Sequence, residues 1–302
     1  RHRWLIILLV ICGLLGGSFL LGVIAYFSFG EDNGAARFTI GKAVGVVTVD
    51  GPITSADTTI KEIKELQKND DIKSVILRIE SPGGSVAASQ EILEAVKKLA
   101  EKKPVVASMA SVAASGGYYI ACGANKILAN DGTITGSIGV RMEHVMLGDL
   151  FKWAKIHHET LTSGRFKDLA SVDRPMTKEE REILQSVLDD IHAQFKETVA
   201  KSRNIDPAKV DLIADGRVYT GRQAKELGLI DEIGGFAQAV ALAAKLGNIK
   251  DDDPKLIRPK KHNNFIDRFF DSADALMNSG LSGVFLEYWQ PLMFVRLSSP
   301  SG

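Results

Sequence analysis

Short runs of β-branched and apolar residues alternate with amphipathic segments along the chain, and this alternation restricts the fold more than any other feature. The runs AVGVVTV (43–49), KSVILRIE (73–80), PVVASMA (104–110) and KILA (126–129) are typical of short buried strands. The segments between them carry apolar residues at helical spacing, with charges on the opposite side. Strands and helices in this order form right-handed βαβ units, so we expect an α/β fold with a mainly parallel sheet.

The second half of the chain is predicted to be more helical. Thr177 and Glu180 in TKEE form a capping box ahead of a long helix. Further helices are expected at 221–227 and 236–246, and the polar stretch 248–264 is the best candidate for a linker. The apolar side of the long helix should consist of Ile183, Leu184, Val187, Leu188, Ile191, Phe195 and Val199.

The N-terminal segment 4–30 contains no charged side chain. As a helix it would be about 40 Å long, which is enough to cross a bilayer. The apolar run is longer than that of a usual signal peptide, and no small-x-small cleavage site closes it, so we expect a retained anchor. Arg1 and Arg3 precede the run while Glu31 and Asp32 follow it. This charge distribution predicts a cytoplasmic N-terminus, with the rest of the chain outside the cytoplasmic membrane.

Composition excludes several classes of partner and cofactor. The 37 basic and 37 acidic side chains balance, which gives no general attraction to nucleic acid. Cys122 is the only cysteine after the anchor, so no intrachain disulfide is expected there, and we expect a buried apolar role for it. No spacing of His, Cys and carboxylates indicates a metal site, and no GxxxxGK phosphate loop occurs. We therefore expect neither a metal nor a cofactor.

Two glycine turns follow predicted strands, SPGGS (81–85) and ASGGYY (114–119). In a parallel sheet both open at the carboxyl edge of the strands, where ligands bind. Ser115 precedes two glycines at the start of a predicted helix, where peptide N–H groups suit a developing oxyanion. The same pattern would also arise if glycines only made tight turns and the serine capped the helix. Spacing alone leaves both interpretations open.

A nucleophilic serine needs a base, and the sequence offers histidines and lysines for that role. His192 lies in the middle of the long predicted helix and is expected at the surface, whereas His144 and His158 stay open as candidates. A lysine acts as a base only if burial keeps its amine uncharged. Lys167 in TSGRFKD (162–168) is one such candidate, although an exposed lysine is the default expectation.

Five motifs in a fixed order closely resemble the signal peptide peptidase (SppA) family: SPGGS, MASVAASGGYYIA, TGSIGV, TSGRFKD and ADGRVYTGRQAKELGLID. These are membrane-anchored serine peptidases of clan SK, and the resemblance covers roughly residues 43 to 240. The chain is similar to the half-length type, which has one copy of the domain and a single anchor. The resemblance implies a Clp-protease/crotonase-like fold of repeated ββα units with helical extensions.

The resemblance also assigns roles to individual residues. It implies that Ser115 is the nucleophile, that Lys167 is the general base and that Ser137 in TGSIGV orients the lysine amine. The oxyanion donors would be the backbone N–H groups of Gly83 and Gly116. Asp168 beside the base would favour a charged amine. If the segment is extended, however, its side chain points to the opposite side from Lys167.

The resemblance further implies an assembly and a substrate class. Serine and lysine of one site would come from neighbouring protomers, so we expect a homo-oligomer, an octamer, with sites facing an interior. Substrates would be signal peptides left in the membrane after preprotein processing, and other unfolded apolar peptides.

Two alternatives are a crotonase-type acyl-CoA enzyme on the same fold and a non-catalytic membrane-anchored ring scaffold. The expected regions are a cytoplasmic stub (1–3), the anchor (4–30), a spacer (31–42), a peptidase domain (43–247) and a C-terminal linker and extension (248–302).

Overall fold

A computed structural model describes residues 42–251 and 253–259 of the chain. Its strands are β1 (Ala43–Asp50), β2 (Ile72–Ser81), β3 (Val105–Ala114), β4 (Lys126–Ala129), β5 (Ile134–Gly136), β6 (Val218–Thr220), β7 (Glu232–Ile233) and β8 (Leu256–Ile257). Its helices are α1 (Asp57–Lys68), α2 (Val86–Ala100), α3 (Gly116–Ala121), α4 (Gly148–Trp153), α5 (Lys178–Arg203), α6 (Pro207–Ile213), α7 (Gly221–Glu226) and α8 (Phe236–Leu246).

The strands form one mixed sheet in the order β6-β5-β3-β2-β1-β8, with β4 beside the first half of β3 and β7 beside β4. Every recorded pairing is parallel except that of β5 with β6. The first three strands are separated by α1 and α2, whereas β4 and β5 follow each other directly. The predicted α/β fold with a mainly parallel sheet is confirmed.

Both sides of the central strands are buried, as expected for parallel strands covered by helices. On one side, α1, α2, α3 and the second half of α5 pack against the sheet in a single large apolar cluster. On the other side, Val46, Ile76 and Val106 pack against Ala239 and Ala243 of α8. The carboxyl ends of β2 and β3 therefore lie on a firmly held framework, and the glycine turns begin there.

The capping box predicted for α5 is present. The Thr177 hydroxyl accepts a hydrogen bond from the Glu180 N–H (3.2 Å), and the Glu180 carboxylate accepts one from the Thr177 N–H (2.7 Å). The predicted apolar side of this helix is only partly buried, because Phe195 and Val199 are covered while Val187 is 46% exposed. Within the described residues, the apolar side chains of the first half of α5 are therefore only partly buried.

Several expectations concern residues outside the described ranges. The anchor, the stub and all but the last residue of the spacer fall there, as does most of the C-terminal extension. Among residues 42–251 and 253–259, no helix combines the length and apolar character that crossing a membrane requires. Within the predicted linker, Leu256–Ile257 forms β8 and pairs with β1, so this part of 248–264 belongs to the sheet.

Candidate active site

Strand β3 carries a bulge shortly before the first candidate site residue. Residues 110–112 stand where β2 has only Glu80, so the pairing register shifts at this point. The Glu80 carboxylate accepts hydrogen bonds from the backbone N–H groups of Ser111 (2.7 Å) and Val112 (3.1 Å) at this bulge. A bulge bends a strand and redirects the residues that follow it. Here the residues that follow lead directly to Ser115.

Ser115 occupies a strained turn between β3 and α3. Its backbone has φ 51° and ψ −121°, a conformation that non-glycine residues avoid, and its side chain is half-buried. Its N–H donates to the Gly136 carbonyl of β5 (2.8 Å). Ser115 stands at the N-cap position of α3, but its hydroxyl makes no capping hydrogen bond, so the interpretation of its side chain as the helix cap is wrong. Strained residues of this kind cluster at functional sites, which favours the interpretation of Ser115 as a nucleophile.

The two glycine turns meet at Ser115, as the sequence predicts. Gly83 has φ +102°, and a methyl group on it would lie 2.7 Å from the Gly116 nitrogen and 2.8 Å from the Ser115 Cβ. Only glycine allows this approach of the two backbones. The Gly83 N–H donates to the Ser81 hydroxyl (3.1 Å), within its own turn. The assignment of Gly83 and Gly116 as oxyanion donors stays a prediction.

Ser137 also lies beside Ser115. It directly follows Gly136, whose carbonyl binds the Ser115 N–H, and its own N–H donates to the Arg217 carbonyl (2.8 Å). Its φ of 51° is again unusual for a residue other than glycine. The structure thus places two strained serines at the neighbouring ends of β3 and β5.

Lys167 lies elsewhere in the described chain. It is exposed, in a turn segment at 165–170, and it does not line the pocket that contains Ser115. Because this segment is folded into turns, the expectation based on an extended strand does not apply to Asp168. The Asp168 carboxylate instead accepts a hydrogen bond from the Arg174 guanidinium (3.2 Å).

The histidines make other contacts. His144 Nε2 pairs with the Ser171 carbonyl (2.9 Å), and His158 Nδ1 pairs with the Asp173 carboxylate. The prediction of a surface position for His192 is wrong, because its ring is half-buried and its Nε2 pairs with the carbonyls of Ala214 (2.7 Å) and Ile138 (3.2 Å). His192 therefore ties α5 to the segment that follows Ser137.

A pocket with a mainly apolar lining adjoins Ser115. Tyr119 and Phe195 form one wall, with their rings in an edge-to-face arrangement at 4.9 Å. Residues of the SPGGS turn, of α2, α3 and α5 and of the loop after Ser137 complete it: Gly84, Val86, Ser89, Gln90, Gly116, Gly139, Val140 and Ile191. The sequence places Gly116 at the site and offers the stretch after Gly84 as a candidate for one pocket wall, and residues of both line the pocket. The lining residues after Ser137 and on α5 were not predicted, since they come from separated segments and carry no shared pattern. The helical periodicity of Ile191 and Phe195 predicted burial but not a role in binding.

Metal and thiol chemistry find no support in the described ranges. No group of three or more His, Cys, Asp or Glu side chains there could hold a metal ion. Cys122 is buried, and this burial raises the pKa of its thiol. The expected role of Cys122 as a small buried residue is confirmed.

Comparison with known proteins shows similarity to peptidases over most of the described residues. Residues 97–250 match peptidase family S49, and residues 44–129 match the Clp protease family. A protein of Synechocystis sp. named as a candidate protease is 42% identical over 217 residues, which cover 71% of this chain and 78% of that protein. The serine protease SPPA of Arabidopsis thaliana chloroplasts is 36% identical over 238 residues, 78% of this chain and 34% of that protein. A protein of Enterococcus faecium named as a candidate signal peptide peptidase, SppA, is 37% identical over 176 residues, 58% of this chain and 51% of that protein.

Proposed function

The chain belongs to peptidase family S49, a family of serine proteases, and from this membership we propose that it is a membrane-anchored endopeptidase whose nucleophile is Ser115. One observation carries the proposal. The Ser115 hydroxyl stands in a strained strand-to-helix turn, is not used as a helix cap, and adjoins both a close pair of glycines and an apolar pocket. A nucleophile, backbone donors and a side-chain pocket are the parts that peptide hydrolysis requires.

The proposed mechanism uses a lysine in place of histidine. The neutral amine of Lys167 takes the Ser115 proton as the hydroxyl oxygen attacks the peptide carbonyl, and Ser137 orients that amine. The N–H groups of Gly83 and Gly116 stabilise the negative oxygen of the tetrahedral intermediate. The protonated amine then gives its proton to the leaving nitrogen. A water molecule then attacks the acyl-enzyme by the same steps and releases the acyl group from Ser115.

We propose further that Lys167 acts on Ser115 of a neighbouring copy. Lys167 is exposed. It lies six residues after a segment with several exposed apolar side chains, which we call the apolar segment 142–161. Contact with a second copy would bury this surface and remove water from the amine, and a lysine needs such desolvation to be neutral. The exposed large apolar residues of the apolar segment are Met142, Val145, Met146, Leu150, Trp153, Ile156 and Leu161.

The substrates that fit this site best are unfolded apolar peptides. The pocket beside Ser115 offers Val86, Tyr119 and Phe195 to a substrate side chain and suits an apolar group. The uncharged segment 4–30 would hold the enzyme at the cytoplasmic membrane, with the site on the outer side. Signal peptides left in the membrane combine both properties, and the Enterococcus faecium relative carries that activity in its name.

Hydrolysis of a fluorogenic apolar peptide by the full chain in detergent tests the proposal. We expect Ser115→Ala and Lys167→Ala to reduce kcat by at least about a thousandfold, while the exposed Lys178→Ala control stays active. A mixture of the two inactive variants should regain part of the activity if each site combines two copies. Loss in both variants without recovery would support the pair of Ser115 and Lys167 without assigning the two residues to different copies. Near-normal activity of Lys167→Ala would refute the lysine base.

Family membership favours peptide hydrolysis over the acyl-CoA alternative. The non-catalytic scaffold makes a separate prediction, because a serine without an active base does not react with fluorophosphonates. We expect a fluorophosphonate to label the wild-type chain at Ser115 and to leave Ser115→Ala unlabelled. An unlabelled wild-type chain without turnover would favour the scaffold.

A further inference from the structure

Arg174 joins the turn that carries Lys167 to the start of α5. Its guanidinium donates two hydrogen bonds to the Glu180 carboxylate, at 2.7 Å and 2.9 Å. The same group donates to the Asp168 carboxylate (3.2 Å) and to the Asp168 backbone carbonyl (3.3 Å). Arg174 therefore binds both the carboxylate and the backbone carbonyl of Asp168, the residue that follows Lys167.

This arrangement is better determined than an ordinary surface ion pair. Glu180 is only 5% exposed, accepts the Thr177 N–H as part of the capping box, and meets Arg174 in a bidentate pairing. The Arg174 guanidinium holds the pKa of the Glu180 carboxyl well below its usual value, at about 2. Glu180 thus fixes the position of Arg174, and Arg174 in turn fixes Asp168.

The position of Asp168 matters because its carboxylate is the nearest negative charge along the chain to the proposed base. Consecutive Cα atoms are about 3.8 Å apart, so a free Asp168 side chain could pair with the Lys167 ammonium. Such a pair favours the charged amine and would remove the base at neutral pH. We propose that Arg174 is a positioning residue that holds the Asp168 carboxylate away from Lys167, so that Lys167 can act as a neutral amine. This inference rests on the proposed function of Lys167.

The other charged groups around this turn have partners of their own. Arg165 pairs with Glu179 of α5, and the Asp173 carboxylate pairs with His158. Neither acidic group is adjacent to Lys167 in sequence, and neither contacts Arg174 in the recorded hydrogen bonds. Asp168 is therefore the carboxylate whose release would act most directly on the base. Charged and titratable groups of this region include His144, His158, Arg165, Lys167, Asp168, Asp173, Arg174, Lys178, Glu179 and Glu180.

The test is the pH dependence of kcat/KM for the full chain, whose acidic limb reports the base. In Arg174→Gln the freed Asp168 should move the midpoint of this limb upward by about one pH unit or more, with roughly a tenfold loss of kcat/KM at neutral pH. Adding Asp168→Asn to Arg174→Gln should return the midpoint close to that of the wild type, since only the carboxylate differs between the two variants. Asp168→Asn alone should leave the midpoint in place, because Arg174 already holds that carboxylate.

Matched variants separate this effect from a general loss of charge or of folding. Arg165→Gln removes an arginine from the same turn and should not move the acidic limb. If Arg174→Gln does not fold, Arg174→Gln with Glu180→Gln removes the buried carboxylate left unpaired and should show the same upward shift. An unmoved limb in the Arg174 variants, a limb that stays shifted after Asp168→Asn is added, or an equal shift in Arg165→Gln overturns the inference. Full activity of Lys167→Ala would instead refute the proposed base, which is a separate outcome.

Discussion

Gly83 and Gly116 come from turns after different strands, yet a methyl group on Gly83 would lie 2.7 Å from the Gly116 nitrogen. The contact exists because β2 and β3 are parallel neighbours, so their carboxyl ends meet at one edge of the sheet. The strained Ser115 turn lies at the same point, with its Cβ 2.8 Å from that methyl position. In the proposed mechanism, substrate access to Ser115 and to the expected backbone donors depends on the absence of a side chain at Gly83.

Replacing Gly83 with alanine should impair chemistry more than substrate binding. In the proposed mechanism, the added methyl group would push the Gly116 N–H away from the developing oxyanion, and the φ of +102° strains any non-glycine residue. We expect kcat to fall by about 100-fold or more, with a smaller change in KM. Peptide hydrolysis with the Gly83→Ala chain checks this expectation.

Gly51 provides a control for backbone strain alone. It has φ +73°, but a methyl group on it would meet no atom within 4 Å. Gly51→Ala should reduce stability by about 1 kcal/mol while leaving kcat almost unchanged. An equal loss of kcat in both variants would show that strain, and not the close approach to Gly116, accounts for the effect.

Enlarging the pocket beside Ser115 should change the choice of substrate. Ile191→Ala removes apolar volume from the lining of the pocket at a half-buried position, so folding should be retained. We expect the kcat/KM for peptides with Phe or Tyr before the cleaved bond, relative to those with Ala, to rise roughly tenfold. Ile183→Ala lies on the same helix, is also half-buried and does not line the pocket, so it should keep the wild-type ratio. A parallel change in both variants would speak against this pocket as the one that selects the side chain.

A charge in the apolar segment 142–161 should prevent assembly. Trp153 is 82% exposed in the single chain, and Trp153→Asp would place a carboxylate in the proposed contact between copies. We expect sedimentation to show smaller species and the peptidase activity to fall together with them. Leu212→Asp places the same charge at a 77% exposed apolar position of α6 and should alter neither property. Retention of the full assembly by Trp153→Asp would exclude this surface as the interface.

The link between Arg174 and Glu180 predicts a loss of stability in acid. Hydrogen bonds from Arg174 and from the Thr177 N–H lower the pKa of the Glu180 carboxyl from 4.5 to about 2. A carboxyl whose pKa is lower in the folded state contributes stability above its unfolded value, and this contribution is lost as the pH falls from about 4.5 to about 2. Urea unfolding midpoints between pH 7 and pH 2.5 should therefore fall less steeply in Glu180→Gln than in the wild type. Identical slopes for the two chains would contradict this origin of the acid sensitivity.

Local chemistry was enough to predict most of the fold. The runs at 43–49, 73–80 and 126–129 form β1, β2 and β4 because β-branched residues with few breakers favour buried strands. The capping box at Thr177 and Glu180 lies within four residues, so its geometry follows from the sequence alone. The bulge in β3 was not predictable, since it depends on Glu80 of another strand binding the Ser111 and Val112 N–H groups.

The candidate site, too, has parts that the sequence predicts and parts that only the tertiary structure decides. The motifs around Ser115, Gly83 and Ser137 contain their own turns, and parallel strand order brings those turns together, so the resemblance could locate them. The pocket lining and the contacts of His192 depend on how α5 packs over the segment after Ser137, which no periodicity expresses. The partner of Asp168 was likewise decided by tertiary structure, because Arg174 reaches Asp168 only where a folded turn meets the first turn of α5. Short-range order follows from the chemistry of neighbouring residues, whereas the charge environment of a proposed base depends on groups that only the packed chain brings within a few ångströms.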